Sequence, residues 1–183
     1  SLNPGYGQNS QRALSGSLAL NLGFKDRYFF DCSTRKDGTS LFGHDQRYHT
    51  YYRSSVAWLL SDEPWFARLA DKIDQFKFRA AVGTAGNRPS FDAQYEALRI
   101  GTGGSITATT LGNKDLRPET NLETEYGIDL ELFHKYGIQI TYARDITTDQ
   151  ILQVPPSVSS GFSSQWKNAG TLDGRTWEAS LNN

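Results

Sequence analysis

Between Leu14 and Phe24 the chain alternates without a break. Leu14, Gly16, Leu18, Leu20, Leu22 and Phe24 form one set, and Ser15, Ser17, Ala19, Asn21 and Gly23 the other. A period of two is the period of a β-strand, whose successive side chains point to opposite faces, so the segment is a strand with one apolar face. The pattern returns along the chain. Tyr28, Phe30, Cys32 and Thr34 alternate with Phe29, Asp31, Ser33 and Arg35, and Val56, Trp58 and Leu60 with Arg53, Ser55 and Ala57. Phe76, Phe78, Ala80 and Val82 then oppose Lys77, Arg79, Ala81 and Gly83. Clearest of all, Leu122, Thr124, Tyr126, Ile128, Leu130 and Leu132 oppose Asn121, Glu123, Glu125, Gly127, Asp129 and Glu131. Ile138, Ile140 and Tyr142 against Gln139, Thr141 and Ala143 make a sixth strand. The segment 166–181 makes a seventh, with a change of parity at Asp173-Gly174 that predicts a bulge or a tight hairpin.

The connections alternate as well. Residues 25–27 and 134–137 are short, 61–75 intermediate, and 36–50, 85–118 and 154–164 long. The start of the intermediate one, Asp62-Glu63-Pro64 followed by Phe66, Leu69 and Ile73, predicts a short amphipathic helix. Residues 85–118, rich in Gly, Ser, Thr and Asn, show no clear period. Short turns at one end and long loops at the other are the asymmetry of outer-membrane barrels, with the turns on the periplasmic side. Strands of about ten residues also suit a bilayer span better than a sandwich. The expected fold is therefore all-β: an antiparallel transmembrane β-barrel segment, about seven strands of a larger barrel. The strand-like pattern at both ends of the chain fits a piece of something longer.

Composition agrees. Hydrophobic residues make up 37% of the 183, while aromatics reach 13%. A barrel with a polar lumen needs no apolar core. No run of eighteen apolar residues occurs, so the sequence has no transmembrane helix. The charges, 19 basic and 20 acidic, are interspersed, which leaves nucleic acid without an electrostatic footprint. A single cysteine, Cys32, excludes an internal disulfide framework and a Cys-based metal site, and it falls on the lipid-side set of its strand.

Several short motifs now occur in a fixed order: 26–30 with 33–43, then Ser55-Val56-Ala57-Trp58, Ser61-Asp62-Glu63-Pro64 and Phe76-Lys77-Phe78-Arg79-Ala80. They continue with Gly83 to Gly86-Asn87, Leu116-Arg117-Pro118-Glu119-Thr120, 125–130 and Asn168-Ala169-Gly170. In that order they resemble the SusC-like (SusC/RagA) TonB-dependent outer-membrane receptors. The resemblance implies that residues 1–183 are part of the receptor's β-barrel domain, with the plug domain outside the chain. It implies active import of a bulky nutrient, an oligosaccharide or a peptide, across the bacterial outer membrane. The implied partners are TonB, reached through the plug, a SusD-like surface lipoprotein, a glycan or peptide ligand and the lipid bilayer, with no cofactor. The Leu-Arg-Pro-Glu segment also resembles siderophore receptors, which keeps that class of TonB-dependent receptor open.

The polar faces carry Arg35, Arg53, Lys77, Arg79, Glu123, Glu125, Asp129 and Glu131, expected to face the lumen. A straight acidic row is not a calcium loop, which draws its ligands from a tight turn. Lys77 and Arg79 should instead pair with it across neighbouring strands, so that Arg79→Glu but not Arg79→Lys weakens the barrel. His44 and His49 with Asp45 supply too few ligands for a metal site. Gly101-Thr102-Gly103-Gly104 lacks the lysine of a phosphate loop and reads as loop flexibility. No Gly-x-Ser-x-Gly elbow or catalytic histidine pattern occurs, so the chain is not expected to be an enzyme. Tyr28, Trp58, Phe76 and Leu132, near the periplasmic ends of their strands, fit an interfacial girdle. Ligand contacts, if a sugar is bound, should come from aromatic rings with polar neighbours, and Tyr48, Tyr51, Phe91, Tyr95 and Trp166 are the aromatics on the long-loop side. The rival of another class is a soluble β-sandwich carbohydrate-binding module, with the leucine faces packed inside. A small self-contained barrel is disfavoured by the odd strand count.

Overall fold

The computed structural model describes residues 12–40, 48–87 and 91–183. Seven long strands form one antiparallel sheet: β1 (Ala13–Phe24), β2 (Tyr28–Thr39), β3 (Tyr48–Leu59), β4 (Ile73–Asn87), β7 (Glu119–Leu132), β8 (Tyr136–Thr148) and β11 (Leu172–Asn182). Each pairs with the next long strand along the chain, so the sheet is an up-and-down meander. Four short strands, β5 (Ala97–Ile100), β6 (Ile106–Leu111), β9 (Ile151–Val154) and β10 (Ser164–Asn168), make a second sheet in the order β5-β6-β10-β9.

The turn end of the large sheet is tightly made. Lys25 and Asp26 between β1 and β2, and Phe133 and His134 between β7 and β8, all adopt positive φ. That is the left-handed turn geometry that matches the twist of paired strands. The 61–75 connection holds no amphipathic helix. It forms two 3₁₀ turns, Leu60–Asp62 and Pro64–Leu69. Of the expected apolar stripe only Phe66 is buried, edge-on to Phe76 at 6.2 Å, while Leu69 is exposed and Ile73 already belongs to β4.

Two other expectations change. Residues 85–118 are not structureless, since they carry the end of β4 together with β5 and β6, strands too short to leave a period. No bulge or hairpin occurs at Asp173-Gly174, because β11 runs in unbroken register with β8 and Gly174 lies opposite Asp145. The parity change has another source. Trp166 lies in β10, in the small sheet, so the segment 166–181 spans two strands of different sheets.

Register assigns the faces. Leu20, Cys32, Ser54, Val82, Thr124, Arg144 and Arg175 form one row across the large sheet, and Asn21, Asp31, Ser55, Ala81, Glu125, Ala143 and Thr176 the next. The first row's face carries the leucines and most of the aromatics, the second row's most of the charges. Neither is covered by protein: among the described residues the only buried apolar side chains are Phe66, Ala93, Leu116 and Pro118, whereas Val56 and Tyr126, on inner strands, are 45% and 48% exposed. A sandwich would need a second sheet on the leucine face. The exposed apolar face is instead that of a barrel wall, since soluble proteins do not leave such a patch in water.

Candidate functional site

The polar face organises around Arg79, in the middle of β4. Its Nη1 donates to Glu125 Oε1 at 2.6 Å, its Nε to Asp129 Oδ1 at 3.3 Å and its Nη2 to Thr141 Oγ1 at 2.8 Å. Lys77 Nζ stands 3.7 Å from Asp129 Oδ2. One guanidinium thus ties β4, β7 and β8 together. The space it occupies exists because residue 127, directly opposite Arg79, is glycine: a Cβ there would lie 2.6 Å from the guanidinium carbon. The eight charged residues expected on the polar face, Arg35, Arg53, Lys77, Arg79, Glu123, Glu125, Asp129 and Glu131, share that face by register.

Two open grooves flank the cluster. Toward the loops, a groove of about 350 Å³ is lined by Arg53, Gly83, Ala85, Asn121, Glu123 and Glu125. Small residues on β4 leave the space, and charges of both signs border it. Toward the turns, a groove of about 980 Å³ holds Lys77, Asp129, Glu131 and Asp74.

The five aromatics do not gather in one place. Tyr48 and Tyr51 fall on opposite faces of β3, as an odd spacing requires. Tyr51 is on the polar face with the Arg35 guanidinium 5.6 Å from its ring centre, and Tyr48 is on the apolar face beside Lys36. Phe91 opens the 3₁₀ turn Phe91–Gln94, Tyr95 is half exposed just after it, and Trp166 is half-buried in β10. His49 shares the polar face, while His44 and Asp45 lie outside the described residues. Among the described residues no group of three or more His, Cys, Asp or Glu could hold a metal ion. Gly103 and Gly104 take positive φ in the β5–β6 hairpin, a turn rather than a phosphate cradle.

Two clasps were not legible as such in the sequence. At the loop end, the Asn168 side chain accepts from Arg117 N–H at 2.9 Å and donates to the carbonyls of Arg117 and Asp149, each at 2.8 Å. Asn113 Nδ2 donates to the Trp166 carbonyl at 2.8 Å. Glu119 accepts from Ile151 N–H at 2.8 Å and from Asn87 Nδ2 at 3.1 Å. These bonds fasten the two long connections to each other, so the small sheet is one unit built from both. At the turn end, Glu63 accepts from the hydroxyl of Tyr28, from Trp58 Nε1 at 3.0 Å and from Arg27 at 3.1 Å, below the stacked Tyr28 and Trp58 rings.

The Tyr28 hydrogen bond, helped by Trp58 and Arg27 and opposed by burial, holds the Glu63 carboxyl below its ordinary value of 4.5. A depressed carboxyl stabilises the fold above its unfolded pKa and ceases to as pH falls through the folded one. Acid titration of the full-length receptor should therefore loosen this clasp below about pH 4.5, read as a rise in Trp58 fluorescence quenching. In Glu63→Gln that transition should be missing.

The chain matches the family model described as "TonB dependent receptor-like, beta-barrel" over residues 2–183. Among curated proteins it is 30% identical over 172 residues to TonB-dependent receptor P26 of Formosa agariphila, and 31% identical over 179 residues to receptor P39 of the same organism. These alignments cover 89% and 92% of the chain but 17% of either relative, so the chain spans about one sixth of their length. Among solved structures, the RagAB peptide importer in its closed-closed state aligns with a TM-score of 0.79 at 24% identity, over 92% of this chain and 19% of that one. The siderophore receptor PirA from Pseudomonas aeruginosa aligns with a TM-score of 0.67 at 17% identity, over 92% and 30%.

Proposed function

The chain belongs to the TonB-dependent receptor-like β-barrel family, and from that premise we propose that it is a stretch of barrel wall in a receptor that imports a bulky nutrient. It resides in the bacterial outer membrane, and its family is one of receptors and not of enzymes. The apolar face meets lipid, and the polar face with Arg79 at its centre lines the lumen. The turns at 25–27 and 133–135 lie at the periplasmic side, and the small sheet lies outside. Residues 1–183 are part of the barrel domain, and the plug that TonB pulls on belongs to the rest of the receptor.

The observation that carries this reading is the family match along almost the whole chain. The cargo is an oligosaccharide or a peptide. Fold likeness to a peptide importer and to a siderophore receptor fits both the leading class and the alternative, while the ordered SusC-like motifs favour the former. A SusD-like surface lipoprotein would sit over the small sheet, with Tyr51, Tyr95 and Trp166 on the path to the groove at Arg53 and Glu123.

Uptake tests this. Cells lacking the receptor and complemented with its full-length form should accumulate a labelled oligosaccharide or peptide at least tenfold faster than the deletion strain. Deleting TonB should abolish the gain. Equal uptake with and without TonB, for every cargo in both classes, would sink the proposal.

A further inference from the structure

A lipid-facing surface should be free of charge except at its borders, because an ionised group in hydrocarbon is expensive and snorkels toward water where it can. The apolar face of the large sheet obeys this with a bias. Its charged strand residues in regular register are Lys36, Arg144, Asp173 and Arg175, while Asp74, at the bulge of β4, borders the groove with Lys77 and Asp129. All four stand toward the loops. Lys36 is eight residues beyond the start of β2 and Arg144 eight beyond the start of β8. At about 3.4 Å per residue and a tilt near 40°, that is roughly 20 Å above the turns, close to the upper edge of an apolar band about 25 Å tall.

Three cations against one anion make this border positive, and they are not scattered. Arg144 and Arg175 lie directly opposite each other on β8 and β11, an arrangement that would repel without an anion. Asp173 supplies one, bound by Arg144 through Nε at 3.0 Å and Nη2 at 2.8 Å and touched by Arg175 Nη2 at 3.3 Å. The bidentate pair occupies the carboxylate, and the one bond from Arg175 Nη2 to Asp173 leaves the rest of its guanidinium fork for a second anion. Below them Tyr142 and Trp177 pack at 4.7 Å between ring centres, where aromatic residues mark a membrane interface. At the other side of the sheet Lys36 lies 5.6 Å from the ring centre of Tyr48.

We propose that Arg144, Asp173 and Arg175 form a binding site for the phosphate of an outer-leaflet glycolipid headgroup, lipid A in chemical class, with Tyr142 and Trp177 against its sugar and upper acyl region. A net positive pair of guanidinium groups is matched to a phosphate, which takes parallel N–H bonds from an arginine fork. The proposal rests on the orientation given above, with the loops outside. Were the sheet reversed, the same site would face the inner leaflet.

The test uses the full-length receptor in nanodiscs, with retention of three probes read by native mass spectrometry: phosphorylated lipid A, dephosphorylated lipid A and inorganic phosphate. Wild type should retain phosphorylated lipid A at least tenfold more than the dephosphorylated form. Arg175→Gln, which leaves the Arg144–Asp173 pair intact, should lose most of that preference, and Arg144→Gln/Asp173→Asn/Arg175→Gln all of it. No preference in wild type, an unchanged preference in both variants, or equal binding of inorganic phosphate alone would overturn the site. Orientation is read separately, from labelling of Ser105→Cys in whole cells by a membrane-impermeant maleimide, in a background without other reactive thiols. Failure to label would overturn the orientation and the proposal with it. Labelling with no lipid preference would overturn the lipid site alone.

Discussion

Arg79→Glu should destabilise the receptor by roughly 2–3 kcal/mol, measured as a lower urea midpoint of the full-length protein in lipid, with an unchanged slope. The substitution removes three hydrogen bonds, to β7 and across it to β8, and sets a fourth carboxylate on the face of Glu125, Asp129 and Glu123. The estimate stays below that for a fully buried pair because the three side chains are 32%, 34% and 20% exposed, and water screens part of the interaction. The conservative change is not silent either. A lysine can reach one carboxylate but cannot span Glu125, Asp129 and Thr141 at once, so Arg79→Lys should cost about 1 kcal/mol, against the sequence-based expectation of no effect. Gly127→Ala should produce a loss of similar size with Arg79 still present, because the new methyl group occupies the slot of the guanidinium. A wild-type midpoint for Arg79→Glu would show the network to be decorative.

Asn168→Ala should have the second large effect, and a local one. The side chain makes three hydrogen bonds to backbone groups of residues 117 and 149. At about 0.5–1.5 kcal/mol each, their loss amounts to roughly 1.5–4.5 kcal/mol. It falls on the small sheet and not on the wall. Hydrogen exchange should therefore speed up in β5, β6, β9 and β10, while β4, β7 and β8 keep their protection. Asn168→Asp should rescue only the bond from Arg117 N–H, since a carboxylate cannot donate to the two carbonyls. Uniform acceleration across both sheets would mean that the clasp does not separate loop stability from wall stability.

How far the sequence alone carries depends on whether a residue acts through periodicity or through position in space. The wall strands were legible because alternation is a local property, and the burial of one face leaves its mark at every second residue. Lys77 and Arg79 could be matched to the acidic row because neighbouring strands in a meander pair with each other. Gly127 could not be understood this way. Its meaning depends on the register that sets it opposite Arg79, and register is decided by both strands together. The small sheet escaped for a related reason. Strands of four to six residues are too short to show a period, and β6 and β10 find each other across 54 residues of chain. Glu63 and Asn168 stood inside recognisable motifs, yet a motif gives no partner. The signal for Glu63 was an acidic residue before a proline, beside two aromatics that needed an acceptor for their polar tips.

The parallel pairing of β6 with β10 also carries a schedule. Ser164 meets Thr110 and Gln165 meets Leu111, and between them in the chain lie β7 and β8, which are part of the wall. A parallel contact of this span closes a large loop, and that closure is cheap only once the intervening hairpin has already brought its ends near each other. The wall strands face no such wait, because each zips onto the one made just before it. The seven wall strands should therefore be paired while the small sheet is still two unjoined loops. For that interval the two long connections stand apart, and a protease added during refolding should cut them before it cuts the mature protein.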